Sequence, residues 1–190
     1  MELTVILYLA LLLAVAALRF AELGLSRRHQ EQMAARGAKK ISDPRFRWMV
    51  LVHAAVLLGA ACEVVFLKRP FILWLGAIMF ALFLAANAVR WWVIRTMGQH
   101  WNVQVVDSTQ LGVVTSGPFR YVRHPNYAAV FVEMLALPLI HTAWITASLG
   151  ALAHAAVLAQ RLSAEERVLF ANSDYRAAMA GKSRFLPGVF

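Results

Sequence analysis

AAVFVEMLALPLIHTAWITASLGALAHAAVLAQ, residues 128–160, stays apolar throughout and is broken only by Pro138, His141 and Gly150. One helical crossing of a bilayer takes about 20 apolar residues. The stretch is therefore too long for one crossing and short for two full ones. A hairpin of two short or tilted helices fits it, turning near residues 138–142, where proline disrupts the helical backbone ladder.

Outward from this hairpin, three more runs are long enough to cross: residues 3–25, 48–67 and 71–94. The first begins Met-Glu with no basic leader and continues into Arg19-Phe-Ala-Glu22, so it reads as an anchor rather than a cleaved signal. The expected fold is an all-α polytopic membrane protein with five transmembrane helices, the last two forming the hairpin. The composition agrees. Of 190 residues, 61% are hydrophobic and 15% charged, which excludes a soluble domain and leaves no room for a large extramembrane catalytic unit. The single cysteine, Cys62, excludes an internal disulfide and a thiolate metal cluster, and no metal site is expected.

The net charge of +9 is read as topology first, and nucleic acid is not expected as a partner. Arg27, Arg28, Arg36, Lys39, Lys40, Arg45 and Arg47 lie between the first two runs, against Lys68 and Arg69 between the second and third. Basic loops face the cytoplasm, so the N-terminus is expected outside and the C-terminus inside. Polar side chains then concentrate on one face, in a linker over 95–127 and a tail over 161–190. Three spans over 1–94 precede this second half of the chain, 95–190.

The linker ends Ser116-Gly-Pro-Phe-Arg-Tyr-Val-Arg-His-Pro-Asn-Tyr127. Residues 101–106 are readable as extended, Ser116-Gly-Pro as a turn, Pro125 as a helix start and Asn126 as its cap. Arg120, Arg123 and His124 then gather at a helix N-terminus, which favours an anion. The arginines either hold such a ligand or bind lipid head groups. In the tail, Arg161 and Glu165 share one helical face, as a surface ion pair or as groups beside the pocket.

Ionisable residues within the spans are costly unless they face protein or water. Glu133 lies under two turns into the fourth span and can reach the pocket. Asn87 and Arg90 either line the same cavity or snorkel. Arg19 with Glu22 reads as an interfacial pair. Glu63, near Lys68 and Arg69, reads as structural, as do His53, His141 and His154.

The run Val114-Thr-Ser-Gly-Pro-Phe-Arg-Tyr-Val-Arg-His-Pro-Asn-Tyr127, followed by an apolar hairpin and then Glu165-Glu-x-x-Leu169, closely resembles the isoprenylcysteine carboxyl methyltransferase family of integral-membrane methyltransferases. The resemblance covers about residues 98–187 and looks most like bacterial members, which implies a bacterial inner membrane. It implies S-adenosylmethionine as cofactor, bound by a cytosolic linker and tail, and a lipophilic acceptor entering from the bilayer. Carried over, Gly117, Pro118, His124, Tyr127 and Tyr175 belong to the cofactor site, and Arg161 and Glu165 stand beside the reacting group. Asn87, Arg90 and Glu133 are the candidate acceptor-binding residues. Ala178 stands where the family often has a second tyrosine.

The expected reaction is methyl transfer to a carboxylate, phenolic or enolic oxygen of a membrane-resident acceptor. Such a displacement needs alignment and exclusion of water, and no covalent nucleophile. Arg161 either orients an anionic oxygen, or Glu165 takes the proton of a neutral one. Phospholipid N-methylation, an NADPH-dependent sterol-reductase-like activity and a non-catalytic adaptor that binds partners or acidic lipid through basic loops are the competing readings.

Overall fold

The computed structural model describes residues 2–40, 45–107 and 111–189. The chain is built of α1 (Leu3–Ala35), β1 (Lys39–Lys40), α2 (Phe46–Phe66), α3 (Leu73–Met97), β2 (Val106–Asp107), α4 (Pro125–Leu139), α5 (Trp144–Leu169) and α6 (Ser173–Met179). Short 3₁₀ turns occupy Gly98–His100 and Gly117–Arg120. The all-helical expectation is met, apart from a two-residue antiparallel ladder pairing Lys39 with Asp107 and Lys40 with Val106. Of the residues read as extended, only Val106 enters that ladder.

Among the described residues, four helices are long and apolar enough to cross a membrane: α1, α2, α3 with its following turn, and α5. The fourth-span candidate, α4, is a shorter apolar helix of 15 residues. At 1.5 Å per residue it extends about 22 Å, less than a hydrocarbon core of about 30 Å. The outer faces are leucine-rich and bare: Leu13 is 72% and Leu152 69% exposed. A contiguous apolar exterior of this kind is compatible with lipid and not with water. The chain is an integral membrane protein.

The hairpin turns where the sequence places it. Pro138 stays inside α4, and residues 140–143 form the turn, with Thr142 at φ 54° and its hydroxyl donating to Pro70 O at 2.6 Å. Each of the last four carbonyls of α4 finds a donor. Ala136 O accepts from Ile140 N, Pro138 O from Ala143 N and Leu139 O from Thr142 N. Leu137 O accepts the Tyr8 hydroxyl at 3.1 Å, which ties α1 to α4. A helix end deprived of water requires such partners.

The N-terminus of α5 is capped from another helix. Glu63 of α2 accepts from Ile145 N at 3.1 Å, Thr146 N at 2.7 Å and the Thr146 hydroxyl at 2.8 Å, and pairs with Arg69 at 2.8 Å. The structural reading of Glu63 is thereby met. Farther along the same contact, a Cβ on Gly150 would stand 2.5 Å from Val56 Cγ2, so only glycine lets α5 lie this close to α2.

The core at this end joins Tyr8, Leu12 and Val15 of α1 to Ala60 and Val64 of α2, Phe83 of α3 and Leu137 of α4. At the opposite end a second cluster joins Val93 and Ile94 of α3 to Trp101, Phe119, Tyr175 and Met179. That second cluster binds linker to tail, and the candidate site lies beside it. The tail's first part continues α5 without a break to Leu169, and Asn172 then caps α6 by accepting from Tyr175 N at 2.9 Å.

Candidate functional site

The linker and tail are laced together by backbone. Arg123 N donates to Ser183 O and His124 N to Arg184 O, both at 2.9 Å, and Val122 forms a parallel bridge with Ser183. Lys182 Nζ donates to Phe119 O at 2.6 Å. Glu166 of α5 is the side-chain centre of this lacing: it meets Arg184 at 2.7 Å, His124 at 3.3 Å and Arg123 at 3.4 Å. Its hydrogen bond holds the Arg184 guanidinium above its ordinary range. The expected anion at the start of α4 is thus, in this structure, an internal carboxylate.

Two details of the linker differ from the sequence reading. The N-cap of α4 is His124, and Asn126 instead presents its side-chain oxygen to Arg90 Nη1 at 3.4 Å. Asn126 already lies inside the helix that Pro125 begins, so it cannot take the extended cap conformation. Arg120 is exposed at the end of its 3₁₀ turn.

Behind the lacing lies a cavity of about 510 Å³. At its polar end are Trp101, Arg123, His124, Tyr127, Glu165 and Tyr175; at its apolar end are Phe20, Ala54, Leu57 and Leu58. The size suits a small-molecule site, which ordinarily occupies about 300–1,000 Å³. Tyr127 stacks on His124 with ring centroids 5.5 Å apart, and its hydroxyl donates to Glu165. The Arg161 guanidinium lies 5.9 Å from the Tyr127 ring centroid and donates to Val103 O, so α5 is bonded to the linker at the cavity wall. Tyr175 is buried under Phe170, and that burial, reinforced by the Glu165 carboxylate, pushes its phenol up to about 12. It remains a neutral donor at physiological pH.

One wall is a charged cluster. Arg90 donates to Glu22 through Nε at 2.9 Å and Nη2 at 2.6 Å. Arg19 donates to Glu22 at 2.6 Å, to Glu133 at 2.8 Å and to Asn87 at 3.3 Å. The Arg19–Glu22 pair expected from spacing forms, and it belongs to this larger network. Two guanidinium groups against two carboxylates keep the cluster electrically balanced, the condition under which buried charge is tolerated.

The candidate residues therefore divide. His124, Tyr127, Arg161, Glu165, Tyr175 and Arg90 line the cavity. Asn87 and Glu133 sit behind its wall, bonded to Arg19. Gly117 and Pro118 support the linker: Gly117 has φ 56°, and a Cβ there would meet Thr96 Oγ1 at 2.5 Å. Pro118 lines a separate apolar hollow between α3 and α4. Cavity residues that the sequence reading did not assign to the site include Arg19, Glu22, Trp101, His53 and His154. Charges inside an apolar run were the available signal for Arg19 and Glu22. Among the described residues no group of acidic, histidine or cysteine side chains is arranged to hold a metal.

The model of the isoprenylcysteine carboxyl methyltransferase family matches residues 77–171. The chain belongs to this family. The matched region of the methyltransferase family runs from α3 through the linker and α4 to just past the end of α5, and so holds Arg90, His124, Tyr127, Arg161 and Glu165. Membership implies methyltransferase activity in a membrane. The chain is 30% identical over 152 residues to an "Uncharacterized protein YpbQ" of Bacillus subtilis (strain 168), covering 80% of this chain and 89% of that relative. It is 28% identical over 156 residues to an "Uncharacterized protein" of Haemophilus influenzae (strain ATCC 51907 / DSM 11121 / KW20 / Rd), covering 82% of this chain and 90% of the relative.

Proposed function

We propose that the protein is an S-adenosylmethionine-dependent O-methyltransferase acting on a lipophilic acceptor that reaches the cavity from the bilayer. The observation that carries this reading is one continuous cavity with a polar, aromatic end under the linker and tail and an apolar end between α1 and α2. The donor set at the polar end fits the cofactor. Trp101 is 2% exposed, and its indole N–H has no hydrogen-bond partner among the described residues, leaving it available to an acceptor atom of a bound nucleoside. Glu165 offers a carboxylate to a cationic centre, and the Tyr127 ring offers stacking and cation–π surface. When bound, the cofactor supplies a methyl group on a sulfonium leaving group. The chain's own task is alignment and dryness. Arg161, fixed over Tyr127, orients an acceptor oxygen, and Glu165 takes its proton when the acceptor arrives neutral. The lacing of linker to tail closes the polar end against water.

We further read α4 as the fourth of five crossings, matched by local thinning of the bilayer, with the linker and tail cytoplasmic, the N-terminus outside and the inner membrane as location. The bias of seven Lys and Arg over residues 26–47 against two between α2 and α3 supports that orientation. The division of labour falls near residue 94, with three anchoring helices before it and the catalytic half after it.

The test is transfer from deuteromethyl-labelled S-adenosylmethionine by purified protein in detergent. Long-chain phenols, lipophilic carboxylic acids and phosphatidylethanolamine are offered together and the products read by mass spectrometry. Label on a phenol or carboxylate oxygen is the expected result. Label on the phosphatidylethanolamine nitrogen, or on nothing while the protein remains folded, contradicts the proposal.

A further inference from the structure

The apolar end of the cavity contains two histidines that the reaction does not use. His154 of α5 is 0% exposed and lines the cavity, and neither ring nitrogen has a hydrogen-bond partner among the described residues. Its neighbours are two rings: His53 of α2, edge-on at 5.4 Å between centroids, and Phe131 of α4 at 6.2 Å. His53 also lines the cavity, and its Nδ1 lies 2.7 Å from Met49 O. A carbonyl only accepts, so Nδ1 carries the proton and Nε2 of the neutral ring is left to accept. The pair therefore places donor and acceptor nitrogens in the wall of the cavity, which Ala54, Leu57, Leu58 and Val130 also line. A buried imidazole without partners costs free energy that an apolar residue of similar size avoids.

The position on α5 specifies what these nitrogens meet. His154, Arg161 and Glu165 follow at intervals of seven and four and share one face of the helix. Seven residues at 1.5 Å set His154 about 10 Å farther along the helix axis than Arg161, toward the apolar end.

We propose that His154 and His53 form a second polar subsite of the acceptor pocket, which receives a hydroxyl or carbonyl oxygen carried on the acceptor's apolar chain about 10 Å from the atom that is methylated. This rests on the function proposed above and narrows its substrate class from any lipophilic oxygen acid to an oxygenated long chain. A hydrocarbon chain without that oxygen leaves both imidazoles unpaired and is the poorer ligand.

The test uses two probes, 4-pentadecylphenol and its analogue with a hydroxyl on the fifth chain carbon, and measures binding by calorimetry separately from methyl transfer. The wild-type protein is expected to bind the hydroxylated probe about tenfold more tightly, the size of one well-made hydrogen bond. His154→Leu is expected to abolish that preference while keeping or improving affinity for the plain probe. His53→Leu reduces the preference and His154→Gln retains part of it, so that the conclusion does not depend on one variant folding. No preference in the wild type, or one that survives both leucine substitutions, overturns the subsite; so does failure of both probes to bind. Preferential binding without methyl transfer to either probe leaves the subsite standing and removes the O-methylation reading instead.

Discussion

Replacing Glu166 by alanine removes the carboxylate on which Arg184, His124 and Arg123 converge at 2.7, 3.3 and 3.4 Å. The Arg184 side chain is 46% exposed, so its pairing counts only about 0–1 kcal/mol after solvent screening. The His124 contact is shielded but long, and a hydrogen bond to a charged group of that kind is worth about 1.5–2 kcal/mol. Together they give about 1.5–3 kcal/mol, which favours detachment of the tail from the linker roughly 10- to 150-fold. The amides of Arg123 and His124 report this directly, because both donate to tail carbonyls. In Glu166→Ala, hydrogen exchange at these two amides is expected to accelerate by that factor, with α2 and α3 unaffected. Unchanged protection at both amides in a folded variant would refute the role assigned to Glu166.

Tyr127→Phe deletes the hydroxyl that donates to Glu165 and keeps the ring stacked on His124. Methyl transfer is expected to fall at least tenfold with the unfolding midpoint little changed; a fully active variant contradicts the placement of this pair at the reacting centre. Gly117→Ala forces a Cβ to within 2.5 Å of Thr96 Oγ1 at φ 56° and is expected to cost about 1–3 kcal/mol, read as a lower midpoint of thermal unfolding in detergent. Glu63→Ala strips the start of α5 of its acceptors and leaves Arg69 unpaired, at about 2–4 kcal/mol. A midpoint equal to wild type would show that another group caps that helix.

The helices were legible from hydropathy because length and apolar composition suffice to define a crossing, and the hairpin turn was legible from Pro138 to Thr142. Two features were not. The extension of α1 to Ala35 rests on a segment whose residues are polar and carry no crossing signal, such as Arg27, Arg28 and Gln30. The cluster of Arg19, Glu22, Arg90 and Glu133 joins residues up to 114 positions apart. Local spacing shows its i,i+3 pair and cannot show the other two members. The same holds for Glu165, whose partner across the cavity is the hydroxyl of Tyr127. His53 and His154 read as structural because a lone histidine in an apolar run has no local partner to betray it. Only the packing of α2 against α5 brings the rings together. Gly117 and Pro118 illustrate the converse: the motif makes them conspicuous, and the structure gives them the task of shaping the linker.

The central claim is that linker and tail close over a site for the methyl donor. Calorimetric titration of the purified protein in detergent with S-adenosylhomocysteine tests it most directly. The account predicts binding of one equivalent, weakened strongly by His124→Ala. No heat of binding from a protein shown by circular dichroism and thermal unfolding to be natively folded would contradict it.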